Sequence, residues 1–160
     1  MHTTNFSRCN ISHDGIFHVA KNGVLKELAV YDCVKVGSLQ QCLENNLGQH
    51  LEVVIVAGCR LLGAADLSIV LAQPLIRTVD FSGTNLQSVQ VVEVFSARKP
   101  LNLTRALFVD CKHVDAIAAN AIITNSPKLE YLNLELANAE MNARKEAIKQ
   151  IKVARVLIRC

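Results

Sequence analysis

A short motif recurs along almost the whole chain, and its spacing limits the folds that this chain can adopt. Each copy has a mostly apolar residue at positions 1, 4 and 6 and usually a cysteine at position 9. Copies begin near residues 1, 25, 51, 76, 103 and 129, with a partial copy near 153, so successive starts lie 24 to 27 residues apart. Such a period is typical of a solenoid, whose units bury their apolar edges against one another. The sequence therefore predicts a single repeat domain over residues 1–160.

The two halves of each copy differ in hydrophobic period, which predicts a strand followed by a helix. Positions 4 and 6 are two residues apart, as in a strand with one buried face. Beyond position 9 the apolar spacing changes to three and four, which places these residues on one stripe of a helix. The predicted stripes are Ile16, Val19 and Ala20; Leu39, Cys42 and Leu43; Leu67, Val70 and Leu71; Val91, Val94 and Phe95; Ala118, Ala121 and Ile122; and Ala147, Ile148 and Ile151.

Residues that end helices recur in phase with the motif. All three prolines, Pro74, Pro100 and Pro127, lie two or three residues before the next copy begins, and Gly23 and Gly48 occupy the same phase earlier in the chain. Proline cannot continue a helix, and glycine relaxes the backbone at a helix end. These residues predict where each helix ends before the next strand.

The motifs resemble those of leucine-rich repeat proteins, in particular the cysteine-containing, ribonuclease-inhibitor-like subclass. The segments that carry the resemblance are CNISHDGIFHVA from Cys9 to Ala20, LKELAVYDC from Leu25 to Cys33 and NSPKLEYLNL from Asn125 to Leu134. The resemblance implies an α/β fold: a right-handed β/α solenoid of about six repeats, with a curved parallel sheet on the concave face and helices on the convex face. Thr84 and Ala137 depart from the pattern, because each replaces the cysteine of its copy.

Disulfide and metal roles for the six cysteines are disfavoured. A reducing compartment argues against disulfides, and a chain of this apolar content can build a core without them. Two groups could be proposed as metal ligands, Cys9 with His13 and His18, and Cys111 with His113, but neither has the paired spacing of a structural zinc site. We therefore predict no metal and no cofactor.

A packing role explains the cysteines better. The motif position that holds them accepts Thr84 and Ala137 as well, so it selects for small volume, and a buried thiol behaves as a small hydrophobe. Cys42 belongs to a helix stripe, and Cys160 is expected to be an exposed thiol. The cysteines at the motif position are Cys9, Cys33, Cys59 and Cys111.

Catalysis, nucleic-acid binding and membrane insertion find little support. The chain contains no glycine-rich phosphate loop, HExxH or GxSxG motif, and its five histidines lie in different phases of the repeat. The net charge is only +3, tryptophan is absent, and the C-terminal basic residues alternate with Glu140 and Glu146.

No apolar run approaches the ~20 residues that span a bilayer, and the N-terminus lacks a secretory signal. We predict a non-enzyme with an intracellular location, and we expect that location to be cytoplasmic.

The strand register predicts which side chains face outward from the sheet. If positions 1, 4 and 6 point inward, positions 3, 5 and 7 form three columns on the concave face, stacked at about 4.8 Å. These columns combine aliphatic and aromatic residues with a few charges, which is the composition of a protein-binding face. The predicted partner-binding residues are Tyr31, Val53, Ile55, Asp80, Arg105, Leu107, Val109 and Tyr131. The columns also contain Ala29, Asn133 and Leu157 in the position 5 series.

The predicted function is a non-catalytic interaction module that binds a protein partner on the concave sheet. The motif begins at Met1 and is still in progress at Cys160, whereas solenoids normally end in polar capping units. We therefore also expect a longer array, or ends covered by self-association or by a larger complex. Two alternatives follow: a small structural or accessory subunit of an assembly, and the substrate-recognition part of a ubiquitin ligase receptor.

Overall fold

The computed structural model describes residues 2–21, 24–44, 48–134 and 157–159. Within these residues strands and helices alternate along the chain. The strands are β1 (His2–Ser7), β2 (Leu25–Tyr31), β3 (Val53–Ile55), β4 (Thr78–Asp80), β5 (Arg105–Leu107), β6 (Tyr131–Asn133) and β7 (Leu157–Arg159). The helices are α1 (His13–Ala20), α2 (Gln40–Glu44), α3 (Ala64–Leu71), α4 (Ser88–Arg98) and α5 (Ala116–Asn125).

The strands form a single parallel sheet in which each strand lies beside its neighbours in the sequence, in the order β1 to β7. The register pairs the same motif position in successive copies. Position 3, for example, pairs across five strands through Glu27, Val53, Thr78, Arg105 and Tyr131. The predicted α/β solenoid with a parallel, unclosed sheet and alternating strands and helices is confirmed.

The core lies between the sheet and the helices. Positions 4 and 6 are buried in each copy from the second to the sixth, so the predicted orientation of the strands is confirmed there. The helix stripes complete the core, because the buried apolar residues of α2 to α5 pack in the same cluster; Ala121, which the sequence also placed in a stripe, is only partly buried. The buried strand residues are Leu28, Val30, Val54, Val56, Val79, Phe81, Ala106, Phe108, Leu132 and Leu134.

Asp66 illustrates how polar groups hold successive repeats together. Its Oδ2 accepts a hydrogen bond from the N–H of Gly63 at 3.0 Å, which closes the start of α3. Its Oδ1 accepts a hydrogen bond from the N–H of Leu39 in the preceding repeat at 2.8 Å. Because a buried N–H without an acceptor destabilises a fold, this carboxylate satisfies donors in two repeats at once.

The last copy of the motif differs from the sequence prediction by two residues. Leu132 pairs with Ile158 and Tyr131 with Leu157, so Leu157 stands at position 3 instead of position 5. The register of the described residues Leu157 to Arg159 therefore differs by two from that of the predicted copy, which was counted from Val153. A shift of two residues keeps every side chain on the same face of a strand, so hydrophobic alternation could not distinguish the two phases.

Two residues predicted to pack in the core are exposed. Cys9 is exposed, and its Sγ donates a hydrogen bond to the carbonyl of Ser7 at 3.3 Å. It follows β1, the edge strand, so no described repeat covers it on the far side. Val19 is 47% exposed, because the edge helix α1 buries a narrower face against the core, centred on Ile16.

Two members of the predicted outward columns are buried. Ala29 is 2% exposed, because its methyl group lies between the longer side chains of its register partners Asn5 and Ile55. Asn133 is 8% exposed and lies in register between Leu107 and Arg159. Both positions thus contribute little surface to the sheet face.

Several sequence predictions fall outside the described residues. They are the C-terminal helix with Ala147, Ile148 and Ile151, the small residue Ala137 and the exposed thiol of Cys160. The predicted basic side chains that precede Leu157 near the C-terminus also lie outside the described residues.

Candidate functional site

The side of the sheet that faces away from the helices, here called the open face, corresponds to the predicted concave side. It presents motif positions 3, 5 and 7 of the central repeats, and each of the side chains named here is at least partly exposed. Position 3 contributes Glu27, Val53, Thr78, Arg105 and Tyr131; position 5 contributes Ile55, Asp80 and Leu107; and position 7 contributes Tyr31, Ala57, Ser82 and Val109.

All eight residues predicted to bind a partner lie on the open face. The register places Ile55, Asp80 and Leu107 side by side on three adjacent strands. Tyr31 lies on β2 and Tyr131 on β6, at opposite sides of this central group. The fold therefore brings the predicted residues together on one surface, and their contact with a partner stays a prediction.

A polar stripe divides the apolar part of the open face. Thr78 and Asp80 lie on β4, and Ser82 follows shortly after the strand. The N–H of Ser82 donates to Asp80 Oδ1 at 2.9 Å, and Ser82 Oγ accepts from the N–H of Val109 at 3.0 Å. The stripe separates the apolar side chains of β3 from those of β5, so any partner must match both kinds of surface.

Asp80 and Arg105 are charged side chains on adjacent strands of the open face, but they do not form an ion pair with each other. The guanidinium of Arg105 stands over the Tyr131 ring, 5.2 Å from its centre, in cation–π geometry. Ion pairs among the described residues include Arg8 with Asp32, His13 with Asp14, and Lys26 with Glu52. Neither Asp80 nor Arg105 has an ion-pair partner within 4.0 Å among these residues.

A second surface, which we call the rim groove, lies along the edge where the strands end. It encloses about 510 Å³ and crosses four repeats. Tyr31, Ala57, Ser82 and Val109 line both the groove and the open face, so the two surfaces are continuous. The other lining residues are Asp32, Gly58, Arg60, Gly83, Thr84, Asn85, Asp110, Lys112 and His113.

A column of left-handed residues at motif position 8 runs along the same edge, and Asp32, Gly58, Gly83 and Asp110 of this column line the rim groove. The φ angles of Arg8, Asp32, Gly58, Gly83 and Asp110 lie between 51° and 76°. For the first four of these residues, the N–H donates to the carbonyl of position 7 in the next repeat, at 2.7 to 2.9 Å. Sequence analysis did not single out this column, although glycine and aspartate, which favour turns and tolerate the left-handed region, occupy four of its five positions.

Two features favour Gly58 over a residue with a side chain. Its φ of +76° is one that residues with a side chain rarely adopt. A Cβ at this position would also collide with Oδ1 of Asp32. The carboxylate of Asp32, which contacts Arg8 Nε at 3.6 Å, therefore lies over the bare backbone of the next repeat.

The buried cysteines form a column of weak hydrogen bonds behind the open face. The Sγ atoms of Cys59 and Cys111 donate to backbone carbonyls of the preceding repeat at 3.5 and 3.2 Å. Cys33 Sγ lies nearer to the Tyr31 carbonyl of its own repeat, at 3.3 Å, than to the Phe6 carbonyl of the preceding repeat, at 3.8 Å. Thr84 takes the same position and donates to the carbonyl of Phe81 at 2.7 Å. The predicted burial in the core is confirmed for these three cysteines and for Cys42.

Burial makes these thiols poor nucleophiles. Desolvation raises the pKa of Cys42 to about 11, with a smaller contribution from the charge of Asp14. Burial also raises the pKa of Cys59 and of Cys111. Since the thiolate is the reactive form, the raised pKa lowers the reactivity of Cys42, Cys59 and Cys111 near neutral pH.

Metal ligation and membrane insertion were sought in the same described ranges. No group of three or more histidine, cysteine, aspartate or glutamate side chains there could hold a metal ion. None of the helices α1 to α5 is long and apolar enough to cross a membrane.

Comparison with known proteins finds similarity of fold alone. No protein-family model matches the chain, and no curated protein sequence matches it. A chain in the crystal structure of the Rad7 and Elc1 complex in yeast superposes with a TM-score of 0.57 at 14% identity. The match covers 93% of this chain and 44% of that chain, so this chain spans less than half the length of the protein that it matches.

Proposed function

We propose that this protein is a non-catalytic interaction module that binds a protein partner on the open face of its sheet. The observation that carries the proposal is the set of aliphatic side chains on β3 and β5. Val53, Ile55 and Leu107 are partly exposed on a broad surface that also presents Tyr31 and Tyr131. An exposed surface that alternates apolar side chains with polar groups in this way is characteristic of binding sites for proteins.

Two further observations are compatible with this proposal. The fold-similar chain was crystallised in a complex of two proteins, Rad7 and Elc1. The five cysteines of the described residues are all free thiols, which is consistent with a reducing, intracellular setting. The proposal requires neither a cofactor nor a metal.

Affinity purification with mass-spectrometric identification tests the proposal. The variant Ile55→Arg, Leu107→Arg places two charges on the open face. The matched control is Val89→Arg, Ile117→Arg, which places the same charges at helix residues that are 59% and 68% exposed. Circular dichroism and thermal unfolding establish that both variants fold.

We expect a partner of the wild-type protein to be retained by the helix variant and lost by the open-face variant. The reverse pattern would move the binding surface to the helices. An identical set of partners for all three proteins would refute binding on the open face.

An accessory subunit of a larger assembly is the second candidate function, and the edge of the sheet favours it. Within the described residues β1 pairs only with β2, so its outer edge can accept a further strand. Such a subunit would keep its partners when the open face is changed. The substrate-recognition part of a ubiquitin ligase receptor is the more specific form of the main proposal, and it predicts that ligase subunits co-purify with the protein.

A further inference from the structure

Asp80 occupies an unusual place for a charged side chain. It lies on β4, the middle strand of seven, and is only partly exposed on the open face. Its direct register partners on either side are Ile55 and Leu107, both aliphatic. A carboxylate between two aliphatic side chains is partly withdrawn from water, so a cation that reaches it interacts more strongly than at an ordinary surface position.

The described residues supply the Asp80 carboxylate with one hydrogen bond and no cation. Oδ1 accepts from the N–H of Ser82 at 2.9 Å. Arg105, two residues before the register partner Leu107, is the basic side chain placed nearest by the register, and its guanidinium stacks on Tyr131. No lysine, arginine or histidine nitrogen of the described residues lies within 4.0 Å of the Asp80 carboxylate.

We infer that the Asp80 carboxylate forms an ion pair with a lysine or arginine side chain of the protein partner. The methylene groups of that side chain pack between Ile55 and Leu107. This inference rests on the proposed function, because it assigns the chemistry of the partner on the same open face.

The dimensions of the surface fit such a side chain. Ile55 and Leu107 stand two strand spacings apart, about 10 Å, with Asp80 midway between them. Lysine and arginine cover apolar surface with their methylene groups while their charged ends seek a polar partner. An acidic side chain would meet the Asp80 carboxylate with like charge, and a purely apolar one would leave the carboxylate buried without a cation, which is unfavourable.

Peptide display provides the test. A library of random peptides on phage is selected on the wild-type protein and on two variants, Asp80→Asn and Glu93→Gln. The amide oxygen that Asp80→Asn introduces can still accept from the N–H of Ser82, so the variant changes the charge and keeps the backbone contact. Glu93 is exposed on α4, and its variant makes the same change in net charge on the helix side.

We expect peptides selected on the wild-type protein and on Glu93→Gln to share one lysine or arginine flanked by apolar residues. Their affinity should fall about tenfold or more on Asp80→Asn, as for other partly desolvated charge pairs. Replacing the basic residue of a selected peptide by methionine should weaken binding to the wild-type protein by a similar factor. The same replacement should have little effect on Asp80→Asn, because the two changes remove one shared interaction.

The outcomes separate this inference from the proposed function. Peptides that bind wild type and Asp80→Asn equally, and lose binding to the Ile55→Arg, Leu107→Arg variant, would overturn the inference and leave the open face as the binding surface. Selected peptides without a basic residue, or a selection that enriches none, would also overturn it. The affinity purification described above decides the proposed function independently.

Discussion

At the scale of single residues, neighbours in one strand have opposite environments. The side chain of Val56 is fully buried against the helices, whereas that of Ile55 faces outward beside Asp80. Strand geometry imposes this alternation, because successive side chains leave opposite faces of the sheet. The effect of a substitution on stability therefore depends mainly on whether the motif position faces the helices or the open face, and much less on the residue type.

A pair of charge substitutions measures this difference. Val56→Asp should abolish the folded state, because burying an unpaired charge costs several kcal/mol while a domain has a reserve of about 5 to 15 kcal/mol. Ile55→Arg should leave the circular dichroism spectrum unchanged and lower the unfolding midpoint little. If the two variants lose stability equally, the assignment of the inner and outer faces is wrong.

The cysteines allow a second prediction at this scale. Cys9 should be alkylated rapidly in the native protein, because it is exposed. Cys33, Cys42, Cys59 and Cys111 should react only after unfolding in denaturant, and raising the pH from 7 to 9 should not make Cys42 reactive, because its pKa is about 11. Alkylation with iodoacetamide followed by peptide mapping reports each site separately. Rapid native labelling of Cys59 or Cys111 would contradict the buried column.

At the scale of elements, the bend after each strand determines how the repeats stack. The left-handed residues at position 8 send their N–H groups to the next repeat, and Gly58 and Gly83 form the middle of the rim groove. Both glycines have φ in the left-handed region, but only at Gly58 would a Cβ meet a carboxylate. The two sites therefore separate the cost of backbone strain from that of a steric collision.

Glycine-to-alanine variants should show these two costs. Gly83→Ala should lose about 1 to 2 kcal/mol of unfolding free energy, since a left-handed residue with a side chain is strained by this amount. Gly58→Ala should lose more, and Asp32→Ala in the same chain should recover the difference. Gly37→Ala serves as the control, because a Cβ there makes only ordinary contact with Leu61. Denaturant titration measures all four, and equal losses at Gly58 and Gly83 would exclude the collision.

The elements also show how far the sequence determines this structure. The buried residues of β2 to β6 and the ends of the helices near the prolines were predictable, because a strand period of two and a helix period of three to four differ clearly. The phase of Leu157 was not predictable, since a shift of two residues preserves the buried face. The rim groove was not predictable either, because it arises from the backbone conformation at position 8, which leaves no hydrophobic pattern in the sequence.

For the open face the sequence predicted the outward columns, and it missed the burial of Ala29 and Asn133, which depends on the lengths of neighbouring side chains.

At the scale of the whole molecule, stability is distributed unevenly along the array. Each repeat contacts mainly its neighbours, and among the described residues the first repeat contributes only Ile16 to the set of fully buried apolar residues. Phe6, Ile11 and Phe17 are only partly buried. In a solenoid the stability of a unit depends on its own core and on its interfaces, so the first repeat should open at lower free energy than the central ones.

Hydrogen exchange should reveal this gradient. Amides of β1 and α1 should exchange faster than those of β3, β4 and β5 under native conditions. Phe6→Ala should accelerate exchange only in the first repeat, whereas Val79→Ala, at a fully buried position, should lower protection throughout by about 2 kcal/mol. If amides of all strands were equally protected from exchange, and if Phe6→Ala lowered that protection equally in every repeat, the array would unfold as a single cooperative unit and the predicted gradient would be wrong.

The donor at motif position 9 has a consequence for how this chain could have evolved. Cys59 and Cys111 each donate to a carbonyl of the repeat before them. A gene duplication that inserted one complete repeat would therefore add one carbonyl acceptor together with one thiol donor. Each thiol of this column would then still have a carbonyl acceptor in the repeat before it. A duplication of half a repeat would break this correspondence. The hydrogen-bond column thus favours growth and shortening of the array by whole repeats.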